Sequence, residues 1–152
     1  MGYVETRNLH KHFGDVRAVD GVNLDVSEGE LLVLLGPSGC GKTTLMRMIA
    51  GLEAPTAGEI YIAGQRVDEG VPPRARGIAM VFQSYALYPH KTAYRNIAFP
   101  LEAAGQPPAM VKERVSGGAR MFGLERLLAR FPRQLSGGER QRVALARAVV
   151  RD

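Results

Sequence analysis

The chain has 152 residues, 45% of them hydrophobic and 23% charged, with a net charge of +5. That length suits one domain with a real core, and the composition is that of a globular protein rather than a disordered one. No apolar run approaches the roughly 18–20 residues that span a membrane, no signal peptide is expected in the first ten residues, and the single cysteine excludes an internal disulfide, as fits a reducing compartment.

Residues 3–9 and 16–26 read as strands joined by a turn at Gly14-Asp15. Val16, Ala18, Val22, Leu24 and Val26 keep the two-residue period of a half-buried strand. Asp20-Gly21 interrupts that period as a bulge. Tyr3 and Phe13 are the early aromatics. Near strand ends such rings usually pack in a core, although either could stack on a base.

Glu30 to Leu35 is a short apolar run that suits a buried parallel strand. It leads into Gly36-Pro37-Ser38-Gly39-Cys40-Gly41-Lys42-Thr43, a full match to the phosphate-binding loop pattern G-x-x-x-x-G-K-[ST]. Thr43 to Ala50 reads as a helix closed by Gly51. Strand, glycine loop and helix are what the chemistry requires. The glycines let backbone N–H groups turn inward around a polyphosphate, and the helix start adds free donors and partial positive charge. Lys42 can reach the outer phosphates, and Thr43 can offer its hydroxyl to Mg²⁺. The bland alternative is a glycine-rich turn with no ligand. Agreement at every fixed position, in the right flanks, favours the phosphate loop. The side chain of Cys40 reads as a small space-filler in that loop.

Further along, Glu53 to Gly58 is a turn, Glu59 to Ile62 a short strand, and Ala63-Gly64 turns it back. Val71-Pro72-Pro73 marks a rigid loop, and Gly77 to Phe82 is a second buried-strand candidate ending at Gln83. Thr92 to Ala104 fits a helix capped by Thr92, which Pro100 should kink or end. Ala109 to Phe122 is helical in composition but contains Gly117-Gly118, at about 1 kcal/mol each relative to alanine. Leu124 to Phe131 reads as a short helix stopped by Pro132, and Val143 to Val150 as a helix with an apolar stripe. Arginines gather at Arg130, Arg133, Arg140, Arg142, Arg147 and Arg151, equally readable as a solvated face or a binding patch.

Ser136 and Glu139 form S-x-x-E, the capping box of a helix start, with two glycines between them that leave the backbone accessible. On that spacing alone an ordinary capped helix is the better reading. The full run Leu135 to Gln141, L-S-G-G-E-R-Q, resembles the signature motif of the ATP-binding cassette (ABC) ATPases. Phosphate loop, Gln83 strand and signature occur in that family's order, and the resemblance covers essentially the whole chain. Gly36 to Ile49 and Val81 to His90 are most similar to ATPase subunits of bacterial importers for maltose, glycerol 3-phosphate and related sugars, and Tyr88 favours sugars over polyamines or iron.

The resemblance implies an α/β P-loop ABC cassette with N-terminal antiparallel strands and a helical subdomain. Residues 1–86 would form the nucleotide-binding core and 87–150 the helical subdomain carrying the signature. Gly36, Ser38, Gly39, Cys40, Gly41, Lys42, Thr43 and Thr44 would hold the phosphates of ATP and its Mg²⁺. Phe13 would stack on adenine. Gln83 would contact Mg²⁺ and the attacking water, with Lys42 as the other catalytic group. Ser136, Gly137 and Gly138 would bind the γ-phosphate of ATP held by a second cassette, in a head-to-tail homodimer. Tyr85 to His90 would meet integral-membrane permease subunits at the cytoplasmic face of a bacterial inner membrane. No nucleic-acid partner is expected.

The family continues past the signature helix into the Walker B strand, the catalytic Glu, the D-loop and the switch His, which this sequence does not contain. Asp152 follows a helix and is not promoted to the magnesium-directing Asp. The expectation is a fragment of a longer product, with an incomplete central sheet and slow hydrolysis on its own. Ser116-Gly117-Gly118 echoes the signature without its Glu-Arg-Gln and reads as a local anomaly. The rivals are a soluble ABC ATPase acting on nucleic acid or ribosomes, and a cassette that binds ATP without turnover.

Overall fold

The structure, a computed structural model, describes residues 2–68 and 70–151. Asp152 lies outside the described residues. The chain forms two compact units, one up to Ile78 and one from Ala79 onward.

The first unit is built on a sheet of order β2-β1-β3-β4, with β1 Val4–Phe13, β2 Val16–Val26, β3 Ala57–Ile62 and β4 Gln65–Arg66, all neighbours antiparallel. The expected hairpin forms at Gly14-Asp15. Ala63 and Gly64 both take positive φ (49° and 76°), the mirror-image turn whose twist matches its strands. Asp20-Gly21 is a bulge, because Leu9 pairs with Val22 but Lys11 pairs with Val19. The extra residue shifts the phase of β2. Val22, Leu24 and Val26 face inward as their spacing predicts, but before the bulge Val19 takes the buried place and Val16 is exposed. The core beneath comprises Leu9, Val19, Ile60, Ile62 and Val67, with Leu45 and Met48 from α1, Lys42–Ile49.

Two expectations fail here. Neither Glu30–Leu35 nor Gly77–Phe82 joins the sheet. Leu31 and Leu35 are 88% and 87% exposed, and only Leu34 of that run packs against the core. An apolar run reports a preference for being covered. A strand also needs a hydrogen-bonding neighbour, and among the described residues the sheet offers these segments none.

The second unit is helical. α2 spans Ala93–Ala103, α3 Pro108–Met121 and α4 Gly137–Val149. Thr92 caps α2 as expected, its hydroxyl accepting from the Arg95 amide at 3.3 Å. Pro100 does not end α2. Ile97, Ala98 and Leu101 are buried on both sides of it, and their packing holds the helix through it. Leu124–Phe131 is not a helix either but a single 3-10 turn, Glu125–Leu127. The carbonyls of Leu128 and Arg130 accept from the Tyr94 and Ala93 amides that open α2, so they serve a neighbouring helix rather than their own. Pro132 opens a further 3-10 turn, Pro132–Gln134, where a missing N–H costs nothing.

Gly117-Gly118 proves ordered rather than anomalous. A Cβ on Gly118 would stand 2.8 Å from Val150 Cγ1, so this glycine lets α3 approach the end of α4, whereas a Cβ on Gly117 would meet nothing within 4 Å. The core here is Ile97, Leu101, Val111, Val115, Leu124 and Val143 with their neighbours. Asn96 is fully buried among them. Its Oδ1 accepts from the Tyr88 amide at 2.8 Å, and its Nδ2 lies 3.0–3.1 Å from the carbonyls of Tyr88, Lys91 and Thr92. Among the described residues no helix is long and apolar enough to cross a membrane.

Candidate functional site

The phosphate loop in the first unit has a donor set made for an anion. α1 starts at Lys42 with no side-chain cap and no acidic residue in its first turn, so its leading amides are not taken by a neighbouring side chain. Gly41 takes φ 90°, and a Cβ there would lie 2.1 Å from the Ala18 carbonyl oxygen; only glycine allows this approach to β2. Gly39 also has positive φ, and its missing Cβ would face open space.

Lys42 Nζ folds across the loop. It donates to the carbonyls of Gly36 and Pro37, both at 2.7 Å, and lies 3.2 Å from Cys40 Sγ. The ammonium is therefore already inside the ring of backbone that would surround a phosphate. Ser38, Thr43 and Thr44 add hydroxyls within the same segment, and Ser38 and Thr43 are exposed. A cavity of about 350 Å³ adjoins the loop, lined by Cys40, Gly41 and Lys42 and by Arg17 and Ala18 of β2. Phe13 ends β1 and is half exposed, with Lys11 Nζ 4.9 Å from its ring centroid. The far end of α1 is held by a residue that sequence reasoning missed. Arg76 is buried and donates to the carbonyls of Met48, Ile49 and Val71, each at 3.0 Å. Burial lowers its pKa below the usual arginine value.

In the second unit, the signature turn forms the expected capping box. Glu139 Oε2 accepts from the Ser136 amide at 2.6 Å, and Ser136 Oγ accepts from the Glu139 amide at 3.3 Å. The Ser136 amide, followed by the Ser136 hydroxyl, holds the Glu139 carboxyl below the usual glutamate range. The amides of Gly137 and Gly138 take no part in the box, and Ser136 and Gly138 are exposed. The signature is thus not sunk into its own unit.

Gln83 is exposed and opens a turn in which Tyr85 and Ala86 take left-handed φ of 64° and 45°. Arg147 of α4 holds this turn, donating to the Ala86 carbonyl at 2.8 Å and the Tyr85 carbonyl at 2.9 Å. Burial lowers the pKa of Arg147 as well. The Tyr88 ring packs 4.7 Å from that of Phe99, with the Arg147 guanidinium 5.8 Å from its centroid. Arg147 and Arg76 carry no local signal. Their partners are far away in sequence, and each looks like one more surface arginine.

The structure brings Gly36, Cys40 and Lys42 together in one ring and leaves Ser136 and Gly138 open to solvent. It gives Gln83 a strained, anchored setting.

The fold is that of an ATP-binding cassette. The solved dimeric, post-hydrolysis structure of the cassette MJ0796 bound to ADP and Pi superposes with a TM-score of 0.87, at 34% identity over 97% of this chain and 69% of that one. Residues 19–152 match the ABC transporter family, and the chain belongs to it. The trehalose/maltose import ATP-binding protein MalK of Thermococcus litoralis is 56% identical over 99% of this chain and 42% of its own length. The sn-glycerol-3-phosphate import ATP-binding protein UgpC of Ralstonia nicotianae is 50% identical over 100% of this chain and 41% of its own. The spermidine/putrescine import ATP-binding protein PotA of Nitrosomonas europaea is 51% identical over 99% and 41%. The chain thus spans about two fifths of the length of the curated relatives it matches.

Proposed function

We propose that this chain is the ATP-gripping part of an ABC importer ATPase that couples ATP binding and hydrolysis to uptake of a sugar or sugar-phosphate solute. One observation carries the reading. The phosphate loop is an uncapped helix start with Lys42 Nζ already inside its ring of backbone. Residues 1–86 supply that grip, and 87–150 supply the signature.

In this scheme the amides from Gly39 to Thr44 and the Lys42 ammonium bind the phosphates. Lys42 moves from the Gly36 and Pro37 carbonyls onto the anion. Phe13, and the cavity beside Ala18 and Gly41, take the base. Thr43 would hold the Mg²⁺ that accompanies the nucleotide, with Gln83 a further proposed contact, and the ion would supply neutralisation of phosphate charge. Ser136, Gly137 and Gly138 close over a γ-phosphate held by a second cassette, head to tail. The exposure of Ser136 and Gly138 supports that role. A site that needs donors from two subunits closes only while the γ-phosphate is present, which turns chemistry into motion.

The strained turn Tyr85-Ala86 and its continuation to His90 are the proposed contact with the membrane subunits, which would place the protein peripherally at the cytoplasmic face of the membrane. The maltose and glycerol-phosphate relatives favour a sugar-type solute. The test is transport by the whole gene product reassembled with its membrane subunits. ATP-dependent uptake should follow a sugar or sugar phosphate. Uptake of a polyamine instead, or ATP turnover that responds to RNA rather than to the membrane subunits, would reject the assignment.

A further inference from the structure

We propose that His10, His12 and Asp20 form a divalent-cation site of the zinc class on the β1–β2 hairpin, distinct in its ligands from the phosphate loop's own Mg²⁺ although Asp20 also lines the cavity beside that loop. The bulge at Asp20-Gly21 sets both residues opposite His10, and His12 follows two positions along β1 on the same face. One ligand atom from each of the three lies within 4.8 Å of the others. Zinc bonds nitrogen and oxygen at about 2.0–2.2 Å, so donors this close converge on one ion after small side-chain shifts.

Proximity alone would be weak, and hydrogen-bond polarity adds the argument. The Gly21 amide donates to His10 Nδ1 at 3.1 Å, so Nδ1 presents a lone pair. The other ring nitrogen, Nε2, then carries the proton and donates to Asn8 Oδ1 at 3.1 Å. Yet Asp20 Oδ1 stands 3.0 Å from that same Nδ1. Two acceptors at this separation repel unless a positive charge sits between them. A metal ion would supply it by taking the single Nδ1 lone pair over from the Gly21 amide, with the proton kept on Nε2. The Nε2–H···Asn8 bond is the outer support by which metal-binding imidazoles are held in orientation. Asn8 adopts φ 44°, an unusual conformation for a non-glycine residue, in making it.

His12 gives a second, independent sign. Its Nε2 is buried and has no hydrogen-bond partner, while its ring meets that of His10 edge to face at 6.1 Å. An imidazole nitrogen that no protein group engages is left as a ligand atom for an ion. Two imidazoles and one carboxylate, with a position left for water, suit Zn²⁺, Co²⁺ or Ni²⁺ and not Mg²⁺. Arg17 Nη1, 3.5 Å from Asp20 Oδ2, is the opposing charge at the site.

The test uses the purified protein without nucleotide. Zn²⁺ should bind at one equivalent, excess Mg²⁺ should not displace it, and the melting temperature should rise with Zn²⁺ and fall back on chelation. Co²⁺ should give the ligand-field spectrum of a nitrogen and oxygen site, free of thiolate charge transfer. His12→Gln and Asp20→Asn should each weaken binding roughly tenfold or more, with the circular dichroism of the metal-free protein unchanged. Arg17→Ala should tighten it. Failure of Zn²⁺ to bind would overturn the proposal and leave His10 simply beside Asp20 on the hairpin. So would binding that survives either ligand substitution, or a thiolate band that assigns the ion to Cys40.

Discussion

Arg147 holds Tyr85. Its Nη2 donates to the Tyr85 carbonyl at 2.9 Å and its Nη1 to that of Ala86 at 2.8 Å, across 62 and 61 positions of sequence. These carbonyls belong to two residues in left-handed backbone, two and three positions after Gln83. The helix that begins at the signature therefore anchors the turn that begins at Gln83. Arg147→Ala should destabilise the protein by about 2 kcal/mol in urea denaturation, since two carbonyls lose a charged donor. Arg147→Lys should recover part of this, because one ammonium cannot fork to both. On the proposed function, ATP turnover of the whole gene product should fall in Arg147→Ala while ATP affinity at the phosphate loop stays.

At the other helix, Arg76→Ala should cost about 3 kcal/mol, again read by urea denaturation. It leaves the carbonyls of Met48, Ile49 and Val71 without their buried partner. Gly51→Ala should damage the same place, because its Cβ would fall 2.4 Å from Arg76 Nε at a φ of +73°. The two changes share one contact, so their costs should not add.

The paired glycines of α3 should respond in opposite directions. Gly118→Ala pushes a methyl group toward Val150 and should cost roughly 1–3 kcal/mol. Gly117→Ala enters open space in a helix interior and should stabilise by about 0.5–1 kcal/mol. Melting temperatures of the two variants settle this. Equal shifts would mean that α3 does not rest on the end of α4.

The signature cap should be sensitive to acid. The Glu139 carboxyl is held below its ordinary value in the fold by the Ser136 amide. Its contribution is therefore present above the unfolded glutamate value and lost as pH falls through the lowered one. Glu139→Gln should flatten that part of the stability–pH curve, since an amide oxygen still accepts from Ser136 but no longer titrates. Ser136→Ala should cost about 1 kcal/mol at neutral pH, and part of that cost should fade in acid because the hydroxyl also favours the ionised Glu139 carboxyl.

Lys42→Ala should lower ATP affinity at least about tenfold without unfolding the domain, measured by nucleotide titration alongside circular dichroism. Among the described residues Lys42 Nζ bonds groups of its own loop, the Gly36 and Pro37 carbonyls and Cys40 Sγ, so the fold does not depend on it. Unchanged affinity would falsify the nucleotide reading.

The glycine-rich turn into α1, the hairpin, the caps at Thr92 and Ser136 and the bulge at Asp20-Gly21 were legible because each is a local pattern with a local cause. Glu30–Leu35 was misread because hydrophobicity does not name a strand's neighbour. Pro100 does not end α2, because packing at Ile97 and Leu101 carries the helix past it. Arg76, Asn96 and Arg147 were invisible because nothing in a side chain's sequence surroundings announces a carbonyl dozens of residues away, or, for Asn96, the loop it will bind. The value of Gly118 became apparent only with Val150 beside it.

The buried amide of Asn96 has a mechanical corollary. It grips the backbone at Tyr88, Lys91 and Thr92 simultaneously, so that stretch cannot be tugged without tugging α2. A push delivered at Pro89 or His90 would be absorbed by a stiff lever rather than a slack strap. Cutting that one fastening, as in Asn96→Ala, would leave both ends of the device intact and disconnect the stroke.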